Sequence, residues 1–199
     1  VLQRTIEDTQ RGEMYAQQRE RKNFEKTVSN LDDFLKKLDI KVKMKKSNNF
    51  LIPRISQLTL KTNQFNLTTR RYQEEDIKKF VNDDNYLVGC AQVIDKFGDN
   101  GITGAFIVKK ENDIWTLDTF LLSCRVMGRG VEDAILSHII DDAKSNNVKE
   151  VKAEFIQTAK NKPAENFLKD FGFIKQENYW NYKLNNDVKY PNHLEVEVE

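Results

Sequence analysis

The sequence predicts an α/β domain built on a mixed, strongly twisted sheet with flanking helices. Three observations predict it. Strand-like segments at 84–95, 101–109 and 114–122 follow one another with short turns, the pattern of an antiparallel meander. The stretch 130–146 carries a helical stripe between two strand-like segments, 114–122 and 148–156, which makes it a crossover. A right-handed crossover brings those two strands parallel. The expected order is β-α-α-β-β-β-α-β-α-β-β.

Residues 1–38 are polar, with Phe24, Val28, Leu31 and Leu35 at i, i+4, i+7 and i+11. That spacing predicts one or two amphipathic helices, which are expected to act as a connector into the domain. Ile40-Lys41-Val42-Lys43-Met44-Lys45 alternates apolar and basic residues, as a half-exposed strand does. Its lysines resemble a phosphate-binding patch, although a charge stripe of this kind usually faces solvent. Leu51, Ile55, Leu58 and Thr62 mark a helix over 48–62, with Pro53 in its first turn. Ile77, Phe80 and Val81 mark a short helix at 73–81.

Lys96-Phe97-Gly98-Asp99-Asn100 reads as the hairpin turn of the meander, and Lys110-Glu111-Asn112-Asp113 as the next. Val131, Ala134, Ile135, His138 and Ile139 share one face of the 130–146 helix, which ends at Ser145-Asn146-Asn147. A helix at 162–171 and strands around Phe173-Ile174 and 179–184 close the sheet. Residues 186–199 are charged and are expected to form a loose tail. The boundaries are therefore 1–38, 39–185 and 186–199.

Composition narrows the function classes. The 199 residues are 32% charged and 39% hydrophobic, with three prolines and eight glycines, an ordinary globular balance. The net charge of +1 gives no electrostatic reason to expect nucleic acid or an anionic membrane as partner. No run of about 18 apolar residues and no basic-then-apolar leader is present, so the cytoplasm is the expected compartment. Because the chain opens on Val1 and not Met, residues upstream are expected. Cys90 and Cys124 form no disulfide framework, and no Cys/His spacing predicts a metal.

Arg125-Val126-Met127-Gly128-Arg129-Gly130 lies between a strand and a helix. Its glycines permit close approach of a ligand. The following helix start points unpaired N–H groups into the same space. This R-x-x-G-x-G string resembles the acetyl-CoA pyrophosphate loop of GNAT acyltransferases; a plain strand-to-helix turn is the alternative. Asn161-x-x-Ala164-x-x-Phe167-Leu168-x-x-Phe171-Gly172-Phe173 resembles the second GNAT signature. There the resemblance implies that Asn161 contacts a pantetheine arm. The likeness spans about residues 40–184 and implies a GNAT-like fold, in which strands 114–122 and 148–156 splay apart at their C-terminal ends.

Longer strings narrow the likeness. Lys61-Thr62-Asn63-Gln64-Phe65-Asn66-Leu67-Thr68-Thr69-Arg70-Arg71-Tyr72, then Phe97-Gly98-Asp99-Asn100-Gly101, then Asp118 through Glu132, and Thr158-Ala159-Lys160-Asn161 all stand in this chain. They resemble the C-terminal part of FkbH-like proteins. That resemblance implies a haloacid-dehalogenase (HAD)-type phosphatase domain upstream in the same polypeptide. It also implies transfer of a glyceryl group to the phosphopantetheine thiol of an acyl carrier protein. The phosphatase motif Asp-x-Asp-x-Thr/Asn is absent here, so phosphatase activity is not expected of these residues.

Cys124 is the candidate nucleophile. A neighbouring guanidinium and a helix N-terminus lower a thiol pKa from about 8.5 into the range of about 3.5–7.5, and a thiolate there carries an acyl group as a thioester. A buried, inert cysteine is the alternative. Glu154 and Asp118 are candidate general bases, a role that contributes about 10²–10⁴-fold; solvated strand carboxylates are the alternative. Asn63, Gln64, Asn66, Thr68 and Arg70 either line an acyl pocket or tie a loop together. His138 reads as a packing histidine. Three functions are compatible with these residues. The first is acyl transfer to phosphopantetheine. The second is N-acyl transfer from coenzyme A (CoA) or acyl-CoA to an amine. The third is non-catalytic docking of a carrier protein.

Overall fold

A computed structural model describes residues 6–185 and 187–199. The first five residues of the opening, read above for a leader, lie outside them. The elements are α1 (Ile6–Thr27), α2 (Leu31–Lys37), β1 (Ile40–Lys46), α3 (Ile52–Lys61), β2 (Phe65–Asn66), α4 (Glu74–Val81), β3 (Tyr86–Asp95) and β4 (Gly98–Glu111). They continue with β5 (Ile114–Leu122), α5 (Val131–Ser145), β6 (Glu150–Ala153), a single 3-10 turn at Lys162–Ala164, α6 (Phe167–Phe171), β7 (Ile174–Gln176), β8 (Tyr179–Lys183) and β9 (Leu194–Val198).

One sheet runs in the order β7-β8-β6-β5-β4-β3-β1-β9, and β2 pairs with β5 off that path. The meander is antiparallel: β3 pairs with β4, and β4 with β5. β5 and β6 are parallel, as the crossover helix predicts. The α3–α4 side buries Ile52, Ile55, Leu58 and Ile77 against Val88, Cys90, Ile107 and Leu121. The other side holds the larger core, in which α5 packs over Phe106, Leu117 and Phe120. His138 sits there with its ring 6.3 Å from Phe106, and burial lowers its pKa, as fits a packing role.

Four expectations are revised. Leu31 does not join the stripe and is 60% exposed, because the chain breaks between α1 and α2, where Asn30 caps α2. Phe34, Leu35 and Leu38 are buried instead. The hairpin turn shrinks to Lys96-Phe97, since Asp95 already pairs with Gly98 and its carboxylate accepts the Phe97 and Gly98 N–H groups. β6 stops at Ala153 and not at 156, because the Ile156 N–H donates to the Leu67 carbonyl and not to β5. The tail is not loose over 194–198, where β9 pairs in parallel with β1. Lys41 and Lys45 of β1 face Glu195 and Glu199 across that edge, so the lysine stripe meets acidic side chains of this chain.

Residues 6–37 are also more than a connector. Arg21, on the polar helix α1, is 1% exposed. Its Nε and Nη2 donate to the two carboxylate oxygens of Asp95 at 2.5 and 2.8 Å. Phe24 and Phe34 add an aromatic contact, with Phe24 also edge-on to Phe97. Among the described residues no helix is long and apolar enough to cross a membrane.

Candidate functional site

The site begins with the break in the sheet. β6 follows β5 only over Ile114–Leu117, and the two then part. At the same point β4 pairs Ile107 with Thr119 and Val108 with Leu117, which leaves Asp118 as an extra residue on β5. Such a bulge bends a strand and re-aims its groups. The freed Asp118 carbonyl accepts from Thr68 Oγ1 at 2.9 Å and Arg70 Nη1 at 3.0 Å.

The gap beyond the bulge is filled by this chain. Phe65 and Asn66 of β2 pair with Leu122 and Leu121. Leu67 then bridges both arms of the split: its N–H donates to the Phe120 carbonyl at 3.1 Å, and its carbonyl accepts from Ile156 N–H at 2.9 Å. Phe65 and Leu67 are both buried, and the Phe65 ring lies 5.1 Å from Phe167. The segment thus satisfies backbone groups that a split sheet leaves orphaned. This is why β6 is shorter than the sequence predicts.

Asn161 locks the insert. It is fully buried, and its Nδ2 donates to the carbonyls of Asn66 (3.0 Å) and Ile156 (2.8 Å) while its Oδ1 accepts from Thr158 N–H. In this structure its side chain faces its own backbone. Asn66 is buried too, donating to the Thr62 carbonyl and accepting from Thr69 N–H. Asn63 accepts from Arg71, and Gln64 is exposed. Of the two readings of the 63–70 cluster, loop tying describes Asn63, Asn66 and Thr68.

Arg70 differs. It is half-exposed and reaches Asp118 at 3.4 Å and Glu154 at 3.2 Å. Tyr72 and Thr119 hydroxyls both donate to Asp118 Oδ2 at 2.8 Å. Burial and the Asp118 bond push the Tyr72 hydroxyl well above the usual tyrosine range. The structure therefore brings the two candidate bases together and adds Arg70, Tyr72 and Thr119. Sequence reasoning passed over Tyr72 and Thr119, since nothing in their spacing sets them apart.

The glycine loop is closed differently from the expected cradle. Val126 is fully buried and Met127 packs on the core. Arg129 turns toward Asp95 at 3.8 Å, and burial lowers its pKa. Gly130 has φ +83, and a Cβ there would meet the His193 ring at 2.7 Å. His193 Nε2 donates to the Arg129 carbonyl at 2.5 Å, so the tail covers the loop. Gly128, at φ +79, is exposed, with open space where a Cβ would stand.

Glu132, in the first turn of α5, occupies the same region. Burial pushes its carboxyl up to about 7, partly opposed by its own and the Gly128 N–H groups, and one carboxylate oxygen has no partner. The folded pKa is raised above the unfolded one, so the contribution to stability is complete below about pH 4.5 and is lost as pH rises through about 7. The loss is up to about 3 kcal/mol. Glu132→Gln is expected to flatten urea-unfolding stability between pH 4.5 and 7; an unchanged slope contradicts this.

The two thiols are unlike. Cys124, at the C-terminal end of β5, is exposed. Cys90 is buried between sheet and α3–α4 layer, and burial pushes its thiol up to about 11. Of the two cysteine readings, the buried one fits Cys90 only. Among the described residues no cluster of His, Cys, Asp or Glu is arranged to hold a metal.

Known structures share this architecture. A ribosomal-protein-alanine N-acetyltransferase from Escherichia coli superposes with a TM-score of 0.57 at 14% identity, over 73% of this chain and 95% of that one. An acetyltransferase of the GNAT family from Staphylococcus aureus gives 0.55 at 13%, over 72% and 99%. A Mycobacterium tuberculosis protein solved in complex with CoA gives 0.52 at 16%, over 67% and 72%. The fold is that of the GNAT acyltransferases. No family profile matches the chain, and no curated protein does. The glycine loop follows the C-terminal end of β5, and Asn161 clamps the segment that fills the split between β5 and β6.

Proposed function

We propose that this chain transfers an acyl group to the phosphopantetheine thiol of an acyl carrier protein, through a thioester on Cys124. Glyceryl is the group implied by the FkbH-like resemblance, and an upstream HAD-like phosphatase domain is the partner that would supply it. One observation carries the reading. Cys124 is an exposed thiol beside Arg125, at the C-terminal end of β5, where open α/β sheets place their ligands. In the first step Cys124 Sγ, as thiolate, attacks the donor carbonyl, and the donor's leaving group departs with the electron pair of the broken bond. In the second the pantetheine thiol gives its proton to solvent and attacks the thioester carbonyl. The bond to Cys124 Sγ breaks and the thiolate is restored.

A second reading, N-acyl transfer from acyl-CoA to an amine, is favoured by the fold neighbours, one of which holds CoA. It requires no enzyme thiol. It also requires Phe65–Thr68 and Asn161 to release their mutual bonds if the arm follows the gap.

Intact-mass measurement after incubation with acetyl phosphate or acetyl-CoA tests the two. The first reading expects one acetyl adduct, abolished by Cys124→Ala and retained by Cys90→Ala. Iodoacetamide at pH 7 should label Cys124 at least about a hundredfold faster than Cys90, whose buried thiol is rarely ionised. An adduct that survives Cys124→Ala removes the thioester step. Acetylation of an added amine by the Cys124→Ala variant establishes the second reading.

A further inference from the structure

A cleft of about 720 Å³ lies between α1, the start of α3, the beginning of β4 and the β5–α5 loop. That size suits a small organic ligand. Its charged lining is Arg11, Lys22, Arg54 and Arg125, with no acidic side chain, and Met14 and Tyr15 supply apolar wall. Among the described residues, no carboxylate stands within ion-pair distance of any of the four cations.

Like charges are held together here. Arg54 and Arg125 are half-buried, and the pKa of each is lowered by burial first. Arg54 is lowered further by Arg125, and Arg125 by Arg21. Arg54 donates to the Ile102 carbonyl and Gln57; Arg125 to Ser123, Met14 Sδ and the Asn100 carbonyl. These neutral acceptors fix the guanidiniums without cancelling their charge. Adjacent desolvated cations repel unless an anion joins them.

A second observation is independent of charge. Asn100 also lines the cleft, is 2% exposed, and its Nδ2 has no acceptor. A buried donor without a partner is unfavourable, and a small shift of the Asn100 side chain would let a bound oxygen acceptor satisfy it. The cleft therefore offers two neighbouring guanidiniums beside partly apolar wall, with an unpartnered amide buried in that wall.

We propose that this cleft, and not the gap between β5 and β6, receives the phosphate end of the phosphopantetheine arm. Arg54 and Arg125 bind the phosphate and Met14 and Tyr15 flank the uncharged stem. This assignment rests on the acyl-transfer reading and requires the arm to fold back, so that its thiol reaches Cys124 while its phosphate stays on the neighbouring Arg125. Phosphate accepts charge-assisted bonds from guanidinium, each worth about tenfold in affinity.

Titration calorimetry on the 199-residue chain tests it with three probes: 4′-phosphopantetheine, pantetheine and inorganic phosphate. Phosphopantetheine should bind, and pantetheine at least tenfold more weakly. Arg54→Gln should weaken phosphopantetheine about tenfold with an unchanged melting temperature. Should Arg54→Gln unfold, Arg11→Gln, at an exposed position, is expected to weaken binding severalfold. Equal binding of phosphopantetheine and pantetheine overturns the proposal, as does equal binding of inorganic phosphate and phosphopantetheine. Affinity that neither Arg variant changes also overturns it. A Cys124 adduct that forms while Arg54→Gln leaves affinity unchanged removes the cleft and keeps the thioester. Weakened binding in Arg54→Gln without any adduct does the reverse.

Discussion

Arg21→Ala is expected to destabilise the fold by about 3–5 kcal/mol, the cost of breaking a buried ion pair from one side. Arg21 and Asp95 are 1% and 7% exposed and meet through two short bonds, at 2.5 and 2.8 Å. Removing the guanidinium leaves a carboxylate buried with only the Phe97 and Gly98 N–H groups and Arg129 at 3.8 Å for company. Partial compensation by Arg129 places the expected value nearer the lower bound. The same pair fastens α1 to the β3–β4 turn, so the variant should also expose α1 to proteolysis. Urea unfolding that shows a loss under 1 kcal/mol would mean that α1 is dispensable to the domain. Replacing both partners by apolar residues of similar size is expected to recover most of the loss, because no unpaired charge then stays inside.

Asn161→Ala is expected to cost about 3 kcal/mol or more. It leaves the Asn66 and Ile156 carbonyls and the Thr158 N–H without their side-chain partner, each orphan worth about 1–3 kcal/mol when buried. Asn161→Asp should fare no better, since a carboxylate oxygen would face the two carbonyls. Hydrogen exchange provides the local readout. The Leu67 and Ile156 amides, bonded to the Phe120 and Leu67 carbonyls, should exchange faster in the variant while α5 amides keep their protection. A variant that melts like the parent and loses only affinity for a pantetheine ligand would identify Asn161 as a ligand contact, the role that its GNAT resemblance implies. Loss of stability with faster exchange identifies it as the clamp that holds Phe65–Thr68 in the split.

The two expectations concern residues whose roles were differently legible. Asn161 stood out in the sequence through its place in a signature, but the signature names a partner outside the chain. Its partners here are backbone groups 95 and 5 residues away. Arg21 carried no signal at all: it is one charge among many on a polar helix, and only Asp95, 74 residues on, gives it a reason to be buried.

The sequence by itself determined the meander, the crossover helix and the parallel pairing of β5 with β6. Those follow from period-2 and period-3.6 patterning and from chain handedness, which are local rules. It also marked Cys124 as the candidate nucleophile through its neighbours, while its exposure was decided by the fold. Tertiary structure alone decided what fills the split, because Phe65 and Leu67 read equally as loop or strand until β5 and β6 leave backbone groups to satisfy. It decided that β9 joins β1, although Leu194, Val196 and Val198 alternate with glutamates just as the apolar residues of β1 alternate with lysines, a signal passed over in a tail taken as merely charged. It assembled the cationic cleft from residues 11, 22, 54 and 125, whose shared charge means nothing until the fold sets them side by side without a carboxylate. Local patterns encode which face of an element is buried; which distant group it is buried against is encoded only by the folded chain.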